Sequence, residues 1–136
     1  MKLISIIYAI FVTLAMSLIF YSPVFAMDDP GFSITRMVIC QGVSDREPNG
    51  IADTFSVDAE TVFSFLEAKD IEFDTTINFV WYFEGQEKAR ISLPLQEGKR
   101  WRTYSSKKLA NLKGNWSVEL QENSGIVLNS VSFRVE

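Results

Sequence analysis

The sequence predicts an all-β domain, an antiparallel immunoglobulin-like sandwich of about seven strands. Beyond Asp28, apolar residues recur with a period of two, which is the spacing of a strand with one buried face. Turn-forming residues interrupt this alternation at short intervals, as they do between the strands of a sandwich. In this part of the chain, helical spacing extends over no more than a single turn, around Lys107–Leu112.

Seven segments carry the alternation and are predicted to be strands. They are Ile34–Gln41, Thr61–Ala68, Thr75–Phe83, Lys88–Leu95, Arg100–Ser106, Gly114–Gln121 and Ile126–Val135. The turns between them are marked by Pro48-Asn49-Gly50, Gly85, Gly98, Gly114 and Asn123-Ser124-Gly125. With no repeat or low-complexity segment, residues 27–136 are expected to form one domain.

Loop lengths predict the register of each hairpin, because opposed residues share a face of the sheet. The loop Gln96–Gly98 has three residues with glycine last, which is typical of a tight hairpin. It is expected to oppose Leu93 to Trp101 and Ile91 to Thr103.

Two further hairpins are predicted. The loop around Gly85 should be odd in length, because an even loop would oppose Trp81 to Arg90 and scatter the core. The last hairpin turns at Glu122–Gly125. It is expected to oppose Leu120 to Val127 and Trp116 to Val131.

The same registers define a candidate binding face on the side of the sheet away from the core. They place Tyr82, Arg90 and Tyr104 in one cross-strand row, with Arg102 beside them. Tyrosine and arginine are enriched at binding hot spots, so this row is a candidate docking surface. The alternative is an ordinary solvated sheet face with a weak cation–π contact.

Three tryptophans, Trp81, Trp101 and Trp116, fall on the core side of the predicted strands. Tryptophan in this position usually contributes apolar bulk. The alternative is a sugar-stacking platform, which would need at least one of the rings exposed.

Composition excludes several chemistries. The chain has no histidine, which removes histidine-based triads and the usual zinc sites. Asp70, Glu72 and Asp74 alternate along one connection but lack the glycine and bidentate glutamate of a calcium loop, so a solvated edge is favoured. Cys40 is the single cysteine, and we expect a buried thiol. We therefore predict no catalytic residues, metal site or cofactor, and no enzyme.

The N-terminus resembles a signal peptide. Lys2 precedes an apolar run over residues 3–21, and Val24 and Ala26 fit the small-residue rule for cleavage. Cleavage after Ala26 would remove Lys2 from the 13 basic residues, leaving 12 against 17 acidic ones and a net charge of −5. That charge argues against nucleic acid as a partner. The alternative is an uncleaved membrane anchor; either way we expect a domain outside the cytoplasm, periplasmic or secreted.

Four spaced motifs resemble a known family. They are Asp45-Arg46-Glu47-Pro48, Trp81-Tyr82-Phe83-Glu84-Gly85, Arg100-Trp101-Arg102-Thr103-Tyr104-Ser105 and Gly114-Asn115-Trp116 before a glycine-turned hairpin. Together they resemble the bacterial family called domain of unknown function 2914, from about Thr35 to Val135. The resemblance implies an exported or membrane-tethered β domain, and it implies no activity.

The leading functional hypothesis is a non-catalytic interaction module that binds another envelope protein through a sheet face or edge. The alternative is a carbohydrate-binding module that uses exposed aromatic residues. An enzyme would need a concave pocket with convergent carboxyl groups, which nothing in the sequence predicts.

Overall fold

The computed structural model describes residues 29–136. The predicted signal peptide, residues 1–26, and its cleavage site lie outside this part of the chain. Ten strands and one short 3-10 helix follow in order. The strands are β1 (Ser33–Cys40), β2 (Gly42–Ser44), β3 (Glu47–Asn49), β4 (Thr54–Phe55), β5 (Thr61–Ile71), β6 (Thr75–Phe83), β7 (Gln86–Leu95), β8 (Gly98–Lys108), β9 (Gly114–Glu122) and β10 (Val127–Val135), with the helix η1 (Val57–Ala59) between β4 and β5.

The strands form two main sheets and a small hairpin. One sheet has the order β1-β5-β8, the other has the order β4-β10-β9-β6-β7, and β2 pairs with β3. Pairing is antiparallel except between β4 and β10. The predicted all-β class is confirmed, and a sandwich arrangement fits these sheets. The strands number about ten rather than seven, because β2, β3 and β4 are too short for their alternation to be read from the sequence.

One hydrophobic core lies between the two sheets. The three-stranded sheet contributes Val62, Leu66 and Ala68 from β5, all fully buried. The five-stranded sheet contributes both Trp81 and Trp116, as their parity predicts. The indole Nε1 of Trp81 donates a hydrogen bond of 2.9 Å to Ser105 Oγ on β8, which joins the two sheets across the core. Trp101 is partly exposed and packs against the same core.

The predicted hairpin between β7 and β8 is wrong. β7 pairs with β6, and β8 pairs with β5 in the other sheet, so Gln96 and Glu97 carry the chain across the sandwich. Trp101 therefore lies opposite Ala68 and not Leu93. Either pairing satisfies the alternation, because strands of both sheets point every second side chain into the same core.

The β6–β7 hairpin keeps the predicted faces, although its loop is even in length and not odd as predicted. Its turn has two residues, Glu84 and Gly85, both with positive φ (48° and 78°), which is type I′ geometry. Such an even turn would put the core residues of β7 on the wrong face. A bulge corrects this, since Trp81 pairs with Ala89 and the next pair skips Lys88.

The β9–β10 register differs from the predicted one by two residues. Trp116 lies opposite Phe133 and Val131 opposite Val118, with a bulge that skips Leu128. From Asn129 onward the faces are as predicted, because a shift of two residues leaves every side chain on its own side of the sheet. Val127, before the bulge, lies opposite Gln121 and not Leu120, and it is exposed, so its predicted place on the core face is wrong.

The helical turn predicted over Lys107–Leu112 is wrong. β8 continues to Lys108, and Leu112 N donates to Leu109 O at 3.0 Å around Ala110 and Asn111, which both have positive φ. This is a β-turn, which lets Leu109 bury fully against the core. Residues 29–136 contain no helix long and apolar enough to cross a membrane.

Candidate functional site

The structure divides the predicted binding row between the two sheets. Tyr82 lies on β6 and Arg90 on β7, both in the five-stranded sheet. Arg102 and Tyr104 lie on β8, in the three-stranded sheet. The row is therefore wrong as a single surface, because it depended on the β7–β8 hairpin. Whether any of these four residues binds a partner stays a prediction.

On the five-stranded sheet, the outer side chains are bonded to one another. Arg90 donates to Glu87 Oε1 at 2.8 Å and to Gln121 Oε1 at 3.0 Å. Burial raises the pKa of Tyr82 above its ordinary value, and the charges of Glu119 and Glu87 raise it further. Tyr82 therefore stays neutral, and both terminal nitrogens of Arg90 donate to side chains of the same face. Polar side chains that hydrogen-bond to one another in this way are typical of an ordinary solvated sheet face.

The outer face of the three-stranded sheet is richer in aromatic side chains. Phe63 and Phe65 of β5 alternate with the core residues of that strand, so they point away from the core. The Phe63 and Tyr104 rings meet edge to face at 5.8 Å between centroids, and Tyr104 is 48% exposed. Phe65 is 1% exposed and lies under Arg36, whose guanidinium carbon is 5.0 Å from the ring centroid.

Four alternating charges lie beside these aromatic rings. Arg102 Nε donates to Glu67 Oε2 at 2.5 Å, and Arg102 Nη2 lies 3.1 Å from Glu47 Oε1. Arg36 Nη2 lies 3.0 Å from the other oxygen of Glu47 and 3.7 Å from Glu67. The hydrogen bond from Arg102 lowers the pKa of Glu67, and the same bond raises the pKa of Arg102. The cluster thus holds two positive and two negative charges.

Glu47 belongs to the β2–β3 hairpin, so the cluster fastens that hairpin to the sheet. The hairpin turns at Asp45 and Arg46, whose φ angles are 53° and 61°, again type I′ geometry. Its root covers Cys40, which is fully buried as predicted. Burial raises the pKa of this thiol, which keeps it protonated and unreactive.

Beside the charge cluster lies a recess of about 370 Å³. Arg46, Arg100, Trp101 and Arg102 line it. Its walls come from the hairpin turn and from β8, two elements that are distant in sequence. In residues 29–136, no group of histidine, cysteine, aspartate or glutamate side chains is placed to hold a metal ion.

Two of the four motifs meet at one end of the five-stranded sheet. Glu84 Oε1 accepts a hydrogen bond of 2.8 Å from Asn115 N, and Glu84 N donates to Asn115 O at 2.8 Å. Gly114 has φ of 142°, and a Cβ atom there would lie 2.3 Å from Glu84 Oε1. The glutamate, the glycine and the asparagine therefore form a structural joint between β6 and β9.

Sequence reasoning missed Phe63, Phe65 and the Glu47–Arg102 pair. A signal for the two phenylalanines was present, since β5 carries apolar residues on both parities, as a strand covered on both faces does. The ion pair joins residues that are far apart in the sequence, so no local pattern indicates it.

Residues 74–135 match the model of the family described as "Protein of unknown function (DUF2914)". This is the family that the four motifs resemble. The DUF2914 match runs from β6 to β10 and contains three of the four motifs, whereas the motif at residues 45–48 lies before it. No curated protein matches the chain.

Among solved structures, the chain is similar to part of two β-glucosidases. One is a mutant from Listeria innocua in complex with laminaribiose (TM-score 0.50, 11% identity, covering 77% of this chain and 16% of that one). The other is described as involved in saponin metabolism and comes from intestinal bacteria (TM-score 0.50, 14% identity, with the same two coverages). At these identities the likeness concerns the fold alone. The chain spans only a small part of either enzyme.

Proposed function

We propose that the protein is a non-catalytic, extracytoplasmic interaction module that docks another envelope protein on the outer face of its three-stranded sheet. One observation carries the proposal: Tyr104 is about half exposed and rests against Phe63, beside an ion-paired arginine, Arg102. Partly exposed tyrosine next to arginine is the composition of a binding hot spot. Both residues lie on β8, which is paired with β5, so little backbone freedom is lost on binding.

The surroundings of this face support a protein partner over a sugar. Trp81 and Trp116 are buried and cannot stack on a ligand. The rings of the exposed Tyr104 and the half-buried Phe63 are inclined by 65°, so they do not form a flat platform. The carbohydrate-binding alternative would have to use Tyr104 alone or the partly exposed edge of Trp101.

Crosslinking from position 104 tests the docking face. A photoreactive phenylalanine analogue at Tyr104 is expected to crosslink an envelope protein, which mass spectrometry identifies. With that partner purified, Tyr104→Ala should weaken binding by about 30-fold, which is the ~2 kcal/mol of a hot-spot truncation. Its thermal stability should change by less than ~1 kcal/mol, because the ring is on the surface.

Tyr82 provides a matched control, because it lies on the outer face of the other sheet. The same analogue at position 82 should give no crosslink to that partner, and Tyr82→Ala should leave binding unchanged. Crosslinks from position 82 alone, or an unaltered dissociation constant for Tyr104→Ala, would refute the docking face.

Export is the second part of the proposal, and it rests on the apolar run and on Val24 and Ala26. Protein recovered from the envelope fraction is expected to begin at Met27. Intact-mass measurement checks this start. A species that retains Met1 and partitions with membranes would establish the anchor in place of cleavage.

A further inference from the structure

The recess beside the charge cluster has an uneven charge balance. Arginine provides three of its four lining residues, Arg46, Arg100 and Arg102, and no carboxylate lines it. Lys69 lies opposite Arg100 on β5 and is a further exposed cation on the same face of the sheet. This concentration of positive charge occurs in a chain whose formal net charge is −4.

The three guanidinium groups are not equivalent. Arg102 is neutralised, since Nε and Nη2 bind Glu67 and Glu47. Arg46 and Arg100 form no ion pair among residues 29–136. The recess therefore presents two uncompensated positive charges, with the Nη1 group of Arg102 left without a carboxylate partner.

The backbone around the recess is fixed before any ligand arrives. Arg46 is held in the type I′ turn of the β2–β3 hairpin, and its neighbour Glu47 ties that hairpin to both Arg36 and Arg102. Arg100 is held by pairing of β8 with β5. Binding would thus require ordering of two arginine side chains only, which keeps its entropic cost small.

We propose that this recess is a binding site for a doubly charged oxyanion of the phosphate type. Guanidinium groups donate in a planar fork that matches the oxygens of phosphate, and charge-assisted bonds of this kind are strong. Two free positive charges match a dianion better than a single carboxylate. The chain as a whole carries a net negative charge, so the local excess of positive charge at this recess contrasts with the molecule's overall charge. The site shares Arg102 with the docking face but does not include Tyr104 or Phe63. It is tested on Arg46 and Arg100, which the docking proposal does not use.

Titration of the purified protein with inorganic phosphate tests the site. The Nε–Hε signals of Arg46 and Arg100 are expected to shift in NMR spectra with a dissociation constant of about 1 mM or below, the range for a small ligand held by a few charged bonds. Sulfate should bind similarly, whereas chloride at the same ionic strength should not saturate the site. Arg46→Gln combined with Arg100→Gln should weaken binding at least tenfold.

Lys88→Gln combined with Lys113→Gln is the control, because it removes two exposed charges outside the recess. This variant should bind phosphate as the unaltered protein does. Unsaturable binding, or equal loss in both double variants, would mean that bulk charge acts and that no site exists. Both variants are exposed-surface changes, and a thermal melt of each confirms that it is folded.

Vesicles identify the source of the oxyanion. Phosphatidylcholine vesicles containing phosphatidic acid present a phosphomonoester, and those containing phosphatidylglycerol present a singly charged diester. Flotation with the first alone, abolished by the arginine double variant and competed by free phosphate, would assign a lipid headgroup. Binding of free phosphate without flotation would assign a soluble ligand. Equal flotation with both vesicles would overturn selectivity for a dianion.

Discussion

Replacing Trp116 with alanine is expected to lower the free energy of unfolding by about 3–5 kcal/mol, the cost of truncating a large buried aromatic side chain. The ring is 2% exposed and stacks on Phe133 at 6.0 Å between centroids. It also meets Phe83 at 5.0 Å, and its Nε1 donates to Leu112 O at 3.0 Å. The alanine variant loses all of these contacts and leaves the carbonyl of Leu112 without its donor. Urea denaturation of the two proteins measures the difference.

Trp116→Phe separates the contribution of ring packing from that of the hydrogen bond to Leu112. This variant keeps an aromatic ring against Phe133 and removes the indole donor. Its free energy of unfolding should therefore fall clearly less than that of the alanine variant. Unaltered stability in Trp116→Ala, or strong quenching of Trp116 fluorescence by a soluble quencher, would contradict the buried position.

Replacing Trp81 with alanine should lower the free energy of unfolding by a similar amount, about 3–5 kcal/mol, because the ring is fully buried between the sheets. Its hydrogen bond can be tested separately. Ser105→Ala leaves the buried Nε1 group unsatisfied, which is expected to cost about 1–3 kcal/mol. In a cycle with Trp81→Phe, the two changes should be coupled, since each removes the same bond.

Ser64 is the matched control for Ser105. The two residues face each other on β5 and β8, and Ser64 is also buried, but its Oγ has no hydrogen-bond partner among residues 29–136. Ser64→Ala should therefore be neutral or slightly stabilising in the same urea titrations. Equal losses in the two alanine variants would show that the bond to Trp81 adds nothing beyond the packing of a small side chain.

The alternation of apolar residues predicted much of the fold. It located all seven long strands, with β6 at its observed bounds, and it put Trp81 and Trp116 in the core. Alternation reports which face of a strand is buried but not which strand lies next to it. For this reason the pattern predicts a pairing of β8 with β7, although the strand next to β8 in the structure is β5. Bulges at Lys88 and Leu128 shift two registers, and only Val127, at the end of β10, changes its face, so the alternation gives almost no sign of them.

The candidate site was predictable only in part. Arg102 and Tyr104 were recognised by residue type, and their joint position on one face of β8 followed from their spacing. Their actual neighbours, Phe63 and Glu67, come from β5, and Glu47 comes from a hairpin too short to predict. A surface assembled from three distant segments depends on tertiary pairing, which no local spacing encodes.

The pairing of the sheets also bears on self-association. An exposed strand edge is a template onto which another chain can add, and this is a route to aggregation. On the five-stranded sheet, β4 covers part of one edge. The other edge is β7, where Pro94 has no N–H to offer and the bulge at Lys88 breaks the ladder. An incoming strand would therefore find an interrupted row of hydrogen-bonding groups along β7, so the sequence of β7 itself opposes strand addition at this edge of the five-stranded sheet.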